Sequence, residues 1–95
     1  MNIDSIRHKA LRRFFAEGNQ RGLDGQLVEW LRKMLAYMLN AGSFEELHVP
    51  PNYGLHPLTG DRAGRWAMTG TRNWRLTFIQ IDEQTLGDLD LEDYH

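Results

Sequence analysis

The spacing of apolar residues changes once along the chain, at Pro50-Pro51, and this change constrains the fold more than any other feature. Before the two prolines, apolar residues recur three and four positions apart, as in amphipathic helices. After them, apolar and polar residues alternate, as in half-buried strands. Helices that precede a run of strands bury their apolar sides best on one face of a sheet. We therefore predict an α+β fold.

Two helices are predicted before the prolines. The first covers residues 8–17 and ends at Gly18, and the second begins after Asp24, whose carboxylate can cap free N–H groups, and ends at Gly42. Their buried stripes contain Leu11, Phe14 and Phe15 in the first helix and Leu27, Leu31, Met34, Leu35 and Met38 in the second. Residues 43–46 have the spacing of a capping box, which predicts one further helical turn.

Five strands are predicted around these helices. A short first strand lies within residues 2–7, and three others cover residues 53–58, 65–69 and 74–81. The last strand is built on Leu86, Leu89 and Leu91. The expected order is β-α-α-β-β-β with one further strand. Residues 1–95 would form a single domain, with both helices on one face of a curved antiparallel sheet.

Composition removes several classes of protein from consideration. The 95 residues include no cysteine, which excludes a disulfide framework, a thiolate zinc site and a cysteine nucleophile, and which fits a cytoplasmic protein. No apolar run approaches the roughly 18 to 20 residues that span a bilayer, and no signal-peptide pattern opens the chain. We expect no membrane partner.

Charge is distributed unevenly along the chain. Residues 1–41 contain seven Lys or Arg against four acids, and residues 42–81 contain four against three. Residues 82–95 contain six acids and no Lys or Arg, so the net charge of -2 comes from this last segment. The acidic balance therefore does not exclude a polyanionic partner, which would be bound by a local basic patch.

Several residues could support acid–base or phosphate chemistry. His56 lies in a predicted strand ahead of a turn rich in Gly and Arg, and residues 93–95 read Asp-Tyr-His directly after the last strand. Arg75 lies inside the predicted strand 74–81. Each has a plainer interpretation: a half-buried strand histidine, a frayed terminus and a structural ion pair. For His8 and His48 the plainer interpretation, a solvated or capping imidazole, is the preferred one.

Six cations form the candidate phosphate-binding set. They are Lys9, Arg12 and Arg13 on one face of the first helix, and Arg62, Arg65 and Arg72 at the turns. Solvated surface charge is the alternative explanation. The chain has no P-loop, no dinucleotide-binding fingerprint, no nucleophile elbow and no metalloprotease motif. A metal site made by His56, Asp93 and His95 has no supporting spacing, so we expect no metal.

Three separated motifs and the opening residues resemble one known family. They are YGLHPLTGDRAGRW at residues 53–66, NWRLTF at 73–78, EDYH at 92–95 and SIRHKAL at 5–11. In this order they resemble the HigB toxins, a branch of the RelE/ParE superfamily, over almost the whole chain. The resemblance implies a RelE-like fold and a toxin that cuts messenger RNA in the ribosomal A site. It also implies neutralisation by a HigA-type antitoxin with a helix-turn-helix domain.

The resemblance also implies a catalytic set. The histidine of the L-H-P-L motif falls on His56, the arginine of N-W-R on Arg75, and the C-terminal motif on Asp93, Tyr94 and His95. These residue types suit cleavage by the RNA's own 2′-hydroxyl, which needs a base, an acid and positive charge but no metal or other cofactor. The sequence does not assign base and acid between the two histidines. Thr59 departs from the lysine of many relatives, which puts a phosphate contact in doubt.

Two other functions remain open at the level of sequence. One is a non-catalytic toxin of the same fold, such as a gyrase inhibitor of the ParE type. Its binding surface would not need His56 together with the C-terminal Asp-Tyr-His. The other is a decayed toxin that only binds its antitoxin, for which Thr59 is the one supporting feature.

Overall fold

The computed structural model describes residues 1–69, 71 and 73–93. The two α-helices are α1 (Lys9–Glu17) and α2 (Gly25–Asn40), and three short 3-10 helices cover Glu45–His48, Asn52–Gly54 and Gly60–Arg62. The strands are β1 (Asn2–Ile3), β2 (His56–Pro57), β3 (Arg65–Thr69), β4 (Trp74–Asp82) and β5 (Thr85–Asp93). Within the described part of the chain, no helix is both long and apolar enough to cross a bilayer.

The strands form one five-stranded sheet in the order β1-β5-β4-β3-β2. β2 to β5 pair antiparallel with their neighbours, whereas β1 pairs parallel with β5 through Asn2–Thr85 and Ile3–Leu86. The predicted α+β architecture is confirmed. The sheet is mixed rather than purely antiparallel, because β1 joins the far edge of a meander that forms later in the chain.

The structure contains the capping residues predicted at the helix ends. Asp24 accepts a hydrogen bond from the Leu27 N–H at 2.9 Å, as expected for an N-cap. His8 caps α1 in the same way, since its Nδ1 accepts from the Leu11 N–H at 3.2 Å. Gly18 ends α1 in the left-handed conformation, with φ of 71°. α2 ends at Asn40, two residues before the predicted stop.

The helices pack against one face of the sheet and form the core there. Its buried residues are Leu11, Phe14, Leu27, Val28, Trp30, Leu31, Met34, Leu35 and Met38 from α1 and α2, Phe44 and Leu47 from the segment after α2, and Met68, Leu76, Phe78, Leu86, Leu89 and Leu91 from the sheet. Phe15, predicted on the buried stripe, is instead 38% exposed. α1 buries only the narrow strip of Leu11 and Phe14, so the neighbouring position faces outward.

The predicted strand 53–58 is reduced to His56–Pro57. Asn52, Tyr53 and Gly54 have φ of 34°, 47° and 68°, in the left-handed region, which is incompatible with a strand. These residues form a 3-10 turn instead, and Tyr53 contacts the ring of Tyr37 edge to face at 5.0 Å. The strand that carries His56 is therefore short and lies at the sheet edge.

A β-bulge explains the spacing of the apolar residues in β5. Leu86 and Leu89 are both fully buried although they are three positions apart, which an uninterrupted strand would not allow. The β4–β5 register shifts between Thr77 and Ile79, and Asp88 has φ of 49°. The extra residue restores the alternation that buries Leu91 and leaves Glu92 on the other face.

Candidate active site on the polar face of the sheet

The register of the sheet places several of the predicted site residues on the face opposite the helices. Directly paired residues in antiparallel strands project to the same side. His56 pairs with Ala67, Ala67 with Thr77, and Thr77 with Asp90. The next row joins Thr69, Arg75 and Glu92. We call this side the polar face; it carries His56, Arg65, Arg75, Thr77, Asp90 and Glu92.

His56 is exposed on the edge strand, so the half-buried strand position considered from sequence is not what the structure contains. Its Nδ1 lies 2.8 Å from the carbonyl oxygen of Gly54. A carbonyl can only accept, so Nδ1 carries the proton and Nε2 is the basic nitrogen of the neutral ring. The backbone turn before β2 thus fixes the orientation and the tautomer of this imidazole.

The other two described histidines have structural positions. His8 caps α1, which confirms the capping interpretation. Nδ1 of His48 lies 3.2 Å from the Phe44 carbonyl oxygen, and the ring meets those of Phe44 and Trp66 edge to face. Neither residue belongs to the polar face, so His56 is the described histidine that lies there.

Glu92 joins two of the predicted cations. Arg62 donates to both of its carboxylate oxygens, at 2.7 and 2.5 Å, and Arg75 donates to one of them at 3.4 Å. The hydroxyl of Thr77 donates to the other oxygen at 2.5 Å. Thr77 is fully buried, and the Glu92 side chain is 17% exposed. The carboxylate is therefore surrounded by four hydrogen bonds from three side chains.

These donors determine the ionisation of Glu92. The hydrogen bonds from Arg62 stabilise the charged form most, burial opposes them, and Thr77 and the charge of Arg75 add to the stabilisation. Together they lower the pKa of Glu92 to about 2. In return, the hydrogen bond to Glu92 raises the pKa of Arg62. Glu92 and Arg62 therefore remain charged throughout the physiological range.

A second carboxylate extends this network. Asp88, at the bulge, pairs with Arg65 at 2.7 Å and with Arg7. Burial raises the pKa of Asp88, but the hydrogen bonds from Arg7 and Arg65 outweigh burial and leave the pKa below its ordinary value. Arg65 also donates to Thr77 at 3.1 Å, and so connects the two carboxylates. The predicted cations Arg62 and Arg65 are thus ion-paired groups of the polar face.

The remaining predicted site residues are placed as follows. Asp93 pairs with Trp74, whose side chain packs on the core. By this register, Asp93 lies on the face of the sheet that the helices cover. Tyr94, His95 and Arg72 lie outside the described residues. Over residues 1–69, 71 and 73–93, no three His, Asp or Glu side chains are grouped as a metal site.

Sequence reasoning missed Glu92, Thr77 and Asp88. The alternation of β5 was a usable signal for one of them, since a residue next to the buried Leu91 must project to the opposite face. That rule identifies Glu92 as a polar-face residue. No comparable signal marked Asp88, because its position depends on the bulge.

The helical cations form a separate surface. Lys9, Arg12 and Arg13 line a shallow cavity of about 350 Å³ on α1, together with Ala16 and Glu17. Lys9 and Arg12 are exposed, whereas Arg13 is half-buried. We call Lys9, Arg12 and Arg13 the α1 patch.

The ionisation of Glu92 predicts a specific loss of stability in acid. A carboxylate whose pKa is lowered by folding stabilises the folded state above its ordinary pKa near 4.5, and this stability disappears as pH falls towards 2. The contribution of this ionisation to the free energy of unfolding is on the order of 3 kcal/mol. Urea unfolding at pH 6, 4.5, 3 and 2 should therefore show the wild type and Glu92→Gln converging in free energy of unfolding as pH falls. Parallel curves would contradict the assignment.

Comparison with known proteins shows which family the chain belongs to. Two helices packed against one face of a mixed five-stranded sheet are consistent with a RelE-like α+β fold. The family model described as "RelE-like toxin of type II toxin-antitoxin system HigB" matches residues 4–95. The chain therefore belongs to the HigB-like toxin family. It is also 40% identical over 96 residues to "Endoribonuclease HigB" of Proteus vulgaris, covering 98% of this chain and 99% of that protein.

Proposed function

We propose that this protein is a toxin that cleaves messenger RNA in the ribosomal A site, acts in the cytoplasm and is neutralised by a HigA-type antitoxin. The observation that carries the proposal is an exposed imidazole of defined tautomer on the same face as a set of guanidinium groups. Family membership and the endoribonuclease name of the Proteus relative support the same reaction.

The reaction needs only groups of the RNA and the protein. The 2′-oxygen forms a bond to the adjacent phosphorus as a base removes its proton, and the bond from phosphorus to the 5′-oxygen breaks as an acid protonates that oxygen. The products are a 2′,3′-cyclic phosphate and a 5′-hydroxyl. An imidazole can serve as base or acid near neutral pH, and each such transfer contributes roughly 10² to 10⁴ in rate.

His56 and Arg75 have complementary roles in this scheme. Nε2 of His56 is the basic nitrogen and exchanges the proton, while Arg75 stabilises the charge that develops on the phosphate oxygens. Two strand spacings and two residues separate them, so their Cα atoms are roughly 12 Å apart. A phosphate between them is within reach of both side chains. Tyr94 and His95 complete the set, with His95 as the second proton-transfer group.

Expression without antitoxin should stop growth by halting translation. A nuclease that acts in the A site destroys messages that are in use, so protein synthesis should stop before DNA synthesis. Pulse labelling with an amino acid and with thymidine, in parallel, measures the order of these events. A failure of DNA synthesis while translation continues would support the gyrase-type function instead.

Ribosome binding should depend on the α1 patch and on salt. Reversing Lys9 and Arg12 to Glu should weaken binding roughly tenfold or more and make it less salt-dependent, because fewer phosphate contacts remain to release counterions. Arg13 is left in place because it is half-buried. Reversing the exposed Arg21 and Lys33 gives the same change in charge at other sites and serves as the control. Equal cosedimentation of both variants would remove the patch from the account.

A further inference from the structure

We propose that Glu92 is a positioning residue of this active site, whose carboxylate holds Arg62 and Arg75 side by side to bind the scissile phosphate; the inference rests on the proposed endoribonuclease function. Nothing in the resemblance or in the reaction scheme assigns a role to Glu92. Its role follows from which side chains meet at it and from where those side chains come.

Glu92 is unsuited to proton transfer. A carboxylate accepts about four hydrogen bonds, and Glu92 already receives four, from Arg62, Arg75 and Thr77. With a pKa of about 2, it is also too weak a base to take a proton from a hydroxyl near neutral pH. A charged group that is saturated in this way can orient its partners but cannot react.

The partners of Glu92 come from two different parts of the site. Arg75 lies directly opposite Glu92 in β4, whereas Arg62 lies in the turn between β2 and β3. β2 carries His56, so the bidentate Arg62–Glu92 pair ties the loop that follows His56 to the central strands of the sheet. Such forked pairs fix orientation as well as distance. Glu92 therefore sets the position of the imidazole's loop relative to Arg75.

The charges of this group also suit a phosphate. Two guanidinium groups brought together without a counterion repel each other, and the shared carboxylate offsets that repulsion. Arg62, Arg75 and Glu92 together carry +1, which matches the single charge of one backbone phosphodiester. The buried hydroxyl of Thr77 also donates to the carboxylate and so helps to fix its position.

The test compares Glu92→Gln with Asp88→Asn in steady-state cleavage of ribosome-bound message. Both changes remove one negative charge from a carboxylate that joins two arginines, but Asp88 joins Arg7 and Arg65 at the bulge. For Glu92→Gln we expect kcat to fall by about tenfold or more, since small misplacements of catalytic groups have large effects on rate. KM should stay within about twofold, because no cation is lost. For Asp88→Asn, whose carboxylate is linked to Glu92 through Arg65 and Thr77, kcat should fall by a clearly smaller factor than in Glu92→Gln.

A second variant, Thr77→Val, tests the same inference if Glu92→Gln fails to fold. Thr77→Val keeps the buried volume and removes one donor to Glu92, so it should lower kcat in the same direction by a smaller factor. Melting temperatures of all variants show whether activity merely follows stability. An unchanged kcat in Glu92→Gln, a rise in KM alone, or equal losses in Glu92→Gln and Asp88→Asn would each overturn the inference. Absence of cleavage by the wild type would instead overturn the proposed function.

Discussion

His56→Ala should abolish message cleavage, lowering kcat by roughly 100-fold or more, because an imidazole that transfers a proton contributes on that order to the rate. Stability should change little. The side chain is exposed on an edge strand, and it bonds to the carbonyl of Gly54, two residues before it. Single-turnover cleavage of ribosome-bound message and thermal unfolding measure the two effects.

The matched control for this variant is His8→Asn. His8 caps α1 through Nδ1, so His8→Ala would lose stability for a reason unrelated to catalysis. Asn is among the best N-cap residues, and it removes the imidazole while keeping an acceptor. We expect His8→Asn to cleave at the wild-type rate. A His56→Ala protein that keeps the wild-type rate would remove this histidine from the site.

Deleting His95 should have a comparably large effect. If the C-terminal residues are a frayed tail, the deletion alters neither stability nor activity. If His95 is the second proton-transfer group, the deletion should abolish cleavage with little change in melting temperature. The assays are the same as for His56→Ala.

Combining the two losses gives an internal check on the prediction for His95. Removing either histidine already disables the shared proton-transfer scheme. The two losses should therefore not add in free energy, and the double variant should cleave about as slowly as the slower single variant. A His95-deleted protein that cuts at the parent rate would contradict the catalytic assignment of the C-terminus. It would also weaken the case for His56 as its partner.

The general architecture was predictable because it depends on local patterns. The change of period at the prolines, the cap at Asp24 and the stop at Gly18 are all properties of neighbouring residues. The parallel pairing of β1 was not, since Asn2 meets Thr85 only through the completed sheet. The start of β2 was misjudged because Tyr53 takes a positive φ that is rare for its residue type.

The site was predictable only in part, for a similar reason. The resemblance supplied His56 and Arg75, which the register places on one face. The meeting of Arg62 and Arg75 at Glu92 depends on how the turn after β2 folds back over the sheet. Charge spacing along the chain does not contain that information. Arg62 and Arg65, predicted as phosphate-binding cations at the turns, are each ion-paired in the structure.

The most direct test of the proposed function is the fate of a defined message on purified ribosomes. Ribosomes stalled with a known codon in the A site are mixed with the purified protein, and the ends of the message are mapped by primer extension. We predict a single cut within that codon, which leaves a 5′-hydroxyl on the downstream fragment, and no cut in the same RNA without ribosomes. An intact message, at a protein concentration that inhibits DNA supercoiling by gyrase, would contradict the account.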